Sequence, residues 1–273
     1  MCYNNLIIFI KKGIFFMETN RILKISAYAG RIILENGGET YRVEETICRI
    51  CSAFEIKEAD SFVTPTGIMI SVTDLTGHTA SLIRRINSRT VNLEKISKVN
   101  DLSRHIMSKT LSLDYVENEL KKIDAEKHYP EIIQILAAAS AAGFFTLLFG
   151  GSLRDFFVAL VIGALIKTLS VKLNKMQINQ FFINITGGAL AALSALTCVS
   201  LNFADNLDKI IIGSIMLLVP GLAITNAIRD TIEGDLVSGV SRAVEALFIA
   251  GAIAVGTGIV LKLWFMNFGG GNL

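Results

Sequence analysis

Three prolines, one tryptophan, three histidines and four cysteines are all that 273 residues hold of these types. His78, His105 and His128 stand far apart, so no metal-ligand spacing arises and no metal is expected. Cys2, Cys48, Cys51 and Cys198 do not make a disulfide framework. Cys48 and Cys51 form a C-x-x-C, but inside an amphipathic helical pattern with no second pair, which reads as two half-buried thiols one turn apart. The sequence also lacks G-x-S-x-G, H-E-x-x-H, the P-loop and G-x-G-x-x-G. Neither a catalytic residue nor a cofactor is therefore expected. A net charge of +2, without a basic face carrying interleaved aromatics, argues against nucleic acid as a partner.

What is present in excess is apolar surface. The chain is 52% hydrophobic and 18% charged, with a mean hydropathy of +0.53. That is too apolar for an ordinary soluble domain and too charged for a bundle of spans alone. Uneven distribution resolves the conflict: 18 of the 26 Lys and Arg and 16 of the 24 acidic residues precede Tyr129. The expected fold is a membrane protein, with an N-terminal cytoplasmic α+β domain over 20–128 and an all-α transmembrane domain over 129–268. Residues 269–273 form a tail. Residues 1–19 read as an N-terminal extension: Lys11 and Lys12 interrupt the apolar run and no cleavage site follows, which argues against a signal peptide, and Met17 opens the more ordinary soluble stretch METNRILKISAYAG, a possible true start.

In the first half, Ile22, Ile25, Ala29, Ile32 and Ile33 make a helical stripe that Gly37-Gly38 ends. A second helix opens at Glu39-Thr40, with Val43, Ile47, Ile50 and Phe54 on its inner face. The period then changes. β-Branched runs at 61–64 and 67–73, a turn-like DLTGH and a further run at 79–86 read as antiparallel strands. Helical periodicity returns from Asn92 and again from Ser112. Glu39, Thr40, Tyr41 and Arg42 cluster at a helix start; helix capping explains Glu39 but does not call for the other three. Arg84 and Arg85, with Arg89 and Asn92, could contact lipid headgroups or an anionic solute, or could simply be a solvated strand end.

In the second half, five stretches suit spans of about 20 mostly apolar residues: 132–149, 156–171, 181–201, 210–228 and 243–263. Lys167, near the end of the second, is placed to snorkel. Gly187, Gly188, Ala189, Ala191 and Ala192 offer the third a small-residue face for close packing. The positive-inside rule puts the N-terminal domain in the cytoplasm, alternates the loops consistently and leaves the C-terminus outside. Pro220-Gly221 breaks the fourth span. Beyond it Asn226, Arg229, Asp230 and Glu233 fall on one helical face, followed by Asp235, Arg242 and Glu245. Charge so close to hydrocarbon is rarely accidental. Pro220, Gly221 and these seven residues are the expected substrate-binding or gating set. Arg229 or Arg242 would hold a substrate carboxylate, and an acidic neighbour would carry a coupling proton. The bland alternative is an amphipathic linker with surface ion pairs.

At GGETYRVEET (37–46), ADSFVTPTGIMIS (59–71), RRINSRTVNLEKISKVNDLSR (84–104), the FGG at 149–151 and PGLAITNAIRDTIEGDLVSGVSRAVEAL (220–247) the chain resembles the threonine/serine exporter (ThrE) family, in its stand-alone YjjP-type half. The resemblance spans 22–263. It implies a cytoplasmic domain and about five spans, working in export of a small organic solute: threonine and serine, or succinate in the split type. It also implies a separate small membrane protein as the second exporter half (YjjB-type), with a homo-oligomer as a further possibility. Location in the cytoplasmic (inner) membrane is expected, with drive by an ion gradient because no nucleotide-binding motif is present. A membrane-tethered sensor or scaffold is the rival from another class, and a membrane-bound hydrolase is the third reading.

Overall fold

A computed structural model of the chain describes the backbone of residues 2–127 and 129–268, with side chains from residue 18 onward. His128 and the expected tail at 269–273 lie outside the described residues. Two compact units emerge, each drawn from two stretches of the chain. The first joins Met1–His128 to Ile224–Ala243; the second joins Tyr129–Ala223 to Val244–Leu273.

In the first unit, α1 (Cys2–Glu35) runs without interruption through Met17, so the expected extension is backbone-continuous with the first predicted helix. Next come α2 (Thr40–Ala53), the strands β1 (Glu58–Thr64), β2 (Gly67–Thr73) and β3 (Thr79–Arg85), then α3 (Leu93–Lys109) and α4 (Leu113–Ala125). The strands form an antiparallel meander, β1-β2-β3, with Ser61 opposite Ile70 and Ile70 opposite Leu82. The predicted helical stripes become the core: Ile32, Ile33, Val43 and Ile47 are fully buried, beside Ile68 and Val72 of the central strand. Cys51 belongs to this core, and burial pushes its thiol up to about 11, which suits an inert thiol.

The unit is completed by α9 (Gly221–Ile232) from Ile224 onward and by the first residues of α10 (Leu236–Phe268). Helix α9 is inside-out for a soluble protein. Asn226 and Asp230 are buried, while Ile224, Ile228 and Ile232 are exposed on the same four-residue repeat.

The second unit contains α5 (Glu131–Leu148), α6 (Leu153–Lys175), α7 (Gln180–Ser200), α8 (Leu207–Ile215) and the rest of α10. Four helices are long and apolar enough to cross a membrane: α5, α6, α7 and α10. Large side chains such as Leu136, Phe144, Leu148, Phe157 and Val161 stand outward from α5 and α6, as lipid contact requires. Small residues let backbones touch. A Cβ on Gly213 of α8 would fall 2.7 Å from the backbone nitrogen of Thr146 on α5, and one on Gly256 of α10 would fall 2.0 Å from the Ile185 carbonyl of α7. The predicted fourth span is the exception. It is not one helix: α8 stops at Ile215, residues 216–220 are non-helical, and α9 carries its charged face into the first unit.

Candidate functional site

The two charged motifs of the sequence, about 190 positions apart, meet in the first unit. Glycine comes first. The chain leaves α1 through Gly37 in a left-handed conformation (φ +93°), and Gly38 N–H donates to Ile33 O at 2.9 Å, closing the helix end. A Cβ on Gly38 would lie 2.3 Å from Ile33 Cγ2, so no larger residue fits without a shift. This tight corner leaves two carbonyls for outside donors. Asn226 Nδ2 donates to Gly37 O at 2.9 Å, and Arg242 Nη2 donates to Gly38 O at 2.8 Å.

Helix α2 begins immediately afterwards, and its N-cap residue Glu39 makes no capping bond to the helix with its side chain. Asp230 supplies the missing acceptor from across the unit. Thr40 N–H donates to its Oδ1 at 3.1 Å, and Thr40 Oγ1 donates to its Oδ2 at 3.1 Å. A carboxylate at a helix N-terminus is favoured by the helix dipole as well as by these bonds. Arg242 Nε lies 2.9 Å from Asp230 Oδ2, so the pair neutralises itself at 4% and 0% residue exposure. Asp230 thus has its ion-pair partner and the bonds from Thr40, and Arg242 has its ion-pair partner and the bond to Gly38, which favours tolerance of a buried pair.

Around this core sit looser contacts. Arg229 pairs with Glu39 at the surface, and Arg42 Nε reaches the same carboxylate at 2.8 Å while Arg42 Nη2 donates to the Tyr41 hydroxyl at 3.1 Å. Burial alone would raise Glu39, but the bond from Arg42 and the charges of Arg42 and Arg229 prevail and hold its carboxyl below the ordinary range. On the other side, the free edge of β1 is closed at Val63. Its N–H donates to Glu44 Oε1 at 2.9 Å and its carbonyl accepts from Ser238 Oγ at 3.3 Å. Burial pushes Glu44 up, and the nearby Asp235 and Asp230 add to the shift. Asp235 is raised in the same way, by burial and then by Asp230 and Glu233.

The structure therefore brings together Glu39, Thr40, Arg42, Asn226, Arg229, Asp230 and Arg242, with Tyr41, Glu233 and Asp235 at the margin. It does not bring in the rest. Pro220, Gly221 and Glu245 are counted with the second unit. Arg84 and Arg85 are both exposed, on successive positions and so on opposite faces of β3, and only Arg84 borders the groove beside Arg21, Lys24 and Arg31. Asn92 caps α3 by accepting from Lys95 N–H at 3.1 Å, a structural duty. The expectation that Arg242 presents its guanidinium to a solute is not met in this conformation, because both Asp230 and the Gly38 carbonyl already occupy it.

Sequence reasoning missed two polar sites in the second unit. Asp155 is fully buried at the start of α6, where its carboxylate accepts from the backbone N–H groups of Ser152, Asp205 and Asn206 and from Asn206 Nδ2, at 2.8–3.1 Å. The signal was there: Ser152 and Asp155 make an S-x-x-D capping box. The other is a cavity of about 310 Å³ bordered by α5, α6, α7 and residues 217 and 218. Lys167, read from sequence as snorkelling, lines it. Among the described residues no group of three or more His, Cys, Asp or Glu is arranged to hold a metal.

A family model described as "Putative threonine/serine exporter" matches residues 24–264, which include every member of the buried cluster. The chain belongs to that family. Among curated members, a "Probable threonine/serine exporter" of Mycobacterium tuberculosis is 24% identical over 92% of this chain but only 47% of its own length. The "Threonine/serine exporter" of Corynebacterium glutamicum is 24% identical over 89% of this chain and 51% of its own. The chain thus spans about half the length of these two relatives. The "Probable succinate transporter subunit YjjP" of Escherichia coli K12 is 23% identical, over 90% of this chain and 96% of its own length. No solved structure matches.

Proposed function

We propose that the chain is one subunit of a secondary exporter that moves a small amino acid or dicarboxylate out across the cytoplasmic membrane. The observation that carries this reading is the exporter-family match over residues 24–264, shared with relatives named for threonine and serine or for succinate. A second membrane protein completes the transporter, since one relative aligned over nearly its whole length is called a subunit. No chemical step on the solute is involved.

Parity supports a topology. Residues 127 and 224 belong to one compact unit, which favours an even number of bilayer crossings between them. Helices α5, α6 and α7 account for three crossings, and α8 with the unwound residues 216–220 makes the fourth. Helix α10 is then the fifth, and the basic first unit lies in the cytoplasm. Backbone freed at such a break is tolerated only inside protein or beside water, which is where transporters place their solutes.

The Asp230–Arg242–Thr40 cluster is the gating element of this reading, and the exposed Arg229–Glu39 pair is its releasable part. Solute uptake into inside-out vesicles carrying this chain and its partner half tests the function. Solute should move only when both halves are present, and Arg229→Ala should cut the rate at least about tenfold with insertion intact. A chain that serves as a tethered sensor would move nothing.

A further inference from the structure

We infer that the cavity of the second unit is the solute site and that it selects small anionic carboxylates, dicarboxylates above all, over zwitterionic amino acids. This inference rests on the exporter reading and adds the substrate class. Its volume, about 310 Å³, falls at the lower end of the roughly 300–1,000 Å³ usual for small-molecule sites, which suits a four-carbon solute. The lining is donor-rich. Lys167 and Ser170 come from α6, Asn174 from its last turn, Gln180 and Asn184 from α7, and Gln134 from α5, with Leu217 and Leu218 of the helix break closing one side.

Two features mark it as a site rather than a packing gap. Asn184 is 1% exposed, its Oδ1 accepts from Gln180 Nε2 at 3.2 Å, and its Nδ2 has no hydrogen-bond partner among the described residues. A buried donor left unmatched costs stability unless a ligand supplies the acceptor. Lys167 lies about two turns before the end of the apolar helix α6, half-buried, and no carboxylate among the described residues comes within ion-pairing distance of it. An ionisable side chain in that position marks a substrate path by default.

Selectivity follows from what the lining omits. No acidic residue contributes to it. A dicarboxylate can place one carboxylate on the Lys167 ammonium and another on the Asn184 and Gln180 amides. A zwitterion brings an ammonium that would meet amide and hydroxyl oxygens but no carboxylate, next to the like charge of Lys167. Specificity of this kind comes as much from the repelled group as from the attracted one.

Calorimetric titration of the detergent-solubilised full chain with succinate and with threonine tests the assignment. Succinate should bind about tenfold or more tightly than threonine. Lys167→Gln and Asn184→Ala should each weaken succinate about tenfold, and Lys167→Gln should narrow the gap to threonine. Ser170→Ala, a milder change, provides a third reading should either variant unfold, and should weaken succinate two- to threefold. Tighter binding of threonine, no binding of succinate, or unchanged affinity in the folded variants would overturn the inference. Vesicle transport separates the two readings. Export that persists unchanged in Lys167→Gln sinks the cavity and leaves the exporter, whereas a wild-type pair that moves no solute sinks the exporter even if succinate still binds.

Discussion

Asp230 is the residue on which the first unit turns, because it answers a helix N-terminus, a hydroxyl and a guanidinium at once. Removing one partner of such a buried pair strands the other charge, at a cost of about 3–5 kcal/mol. Asp230→Ala and Arg242→Ala should therefore each lower thermal stability by that amount, and the double variant should fall well short of the sum. Arg229→Ala breaks a pair that is half-exposed on the arginine side, so its effect on stability should stay within about 1 kcal/mol. Melting temperatures of the four proteins in one detergent decide the matter. The carboxyls nearby make opposite pH predictions. Glu44 and Asp235 are raised in the folded state, so folding binds their protons more tightly than unfolding does. The stability they give is complete below the ordinary carboxylate range and is lost as pH rises through the raised values. Glu44→Gln should flatten that decline just above the ordinary range, as followed by denaturation at stepped pH. Glu39 is held low, so its contribution is present above the ordinary range and disappears as pH falls through its depressed value; Glu39→Gln should remove that acid-side loss.

Among the elements, helix contacts in the second unit depend on absent side chains and on one buried acid. Gly213→Ala puts a methyl group against the Thr146 backbone, which cannot yield as a flexible side chain can. Overpacking of this kind should cost about 1–3 kcal/mol. Asp155→Ala would orphan the backbone donors of Ser152, Asp205 and Asn206. At about 1–3 kcal/mol for each buried group left unmatched, the loss should exceed that of Gly213→Ala in the same unfolding assay. Element boundaries were the most legible part of the sequence. Periodicity located α2, the three strands, α3 and α4, and Gly37-Gly38 announced a helix end that the φ of Gly37 explains. The common face of Asn226, Arg229 and Asp230 was also readable. Its direction was not, since nothing local tells a polar face that binds a solute from one that caps a helix 190 residues earlier. The neighbourhood of Lys167 was not legible either, since Gln134, Gln180 and Asn184, which line the same cavity, come from other helices.

For the molecule as a whole, the proposed five-crossing topology would put residues 150 and 203 on the outer side and residue 175 on the inner side. Single cysteines introduced there, in a chain with its native cysteines replaced by serine, should react with an impermeant maleimide added to intact cells at 150 and 203 but not at 175. A second expectation concerns the discontinuous first unit. A fragment of residues 18–128 lacks Asn226, Asp230 and Arg242, so the Gly37 and Gly38 carbonyls and the start of α2 lose their partners. Joining residues 221–243 to that fragment through a flexible linker should raise its melting temperature by about 10 °C or more, as about 1–3 kcal/mol for each of the three unmatched groups implies for a domain of this size.

That discontinuity also sets a timetable. Domains generally fold as units during synthesis, N-terminal parts first, yet this N-terminal unit cannot close until residue 242 has left the ribosome, because Arg242 and Asp230 are among its last parts to be made. Helices α5, α6 and α7 have been synthesised by then. The first unit is begun first and finished late, so a nascent chain halted before residue 230 should hold an open, protease-sensitive GGET corner.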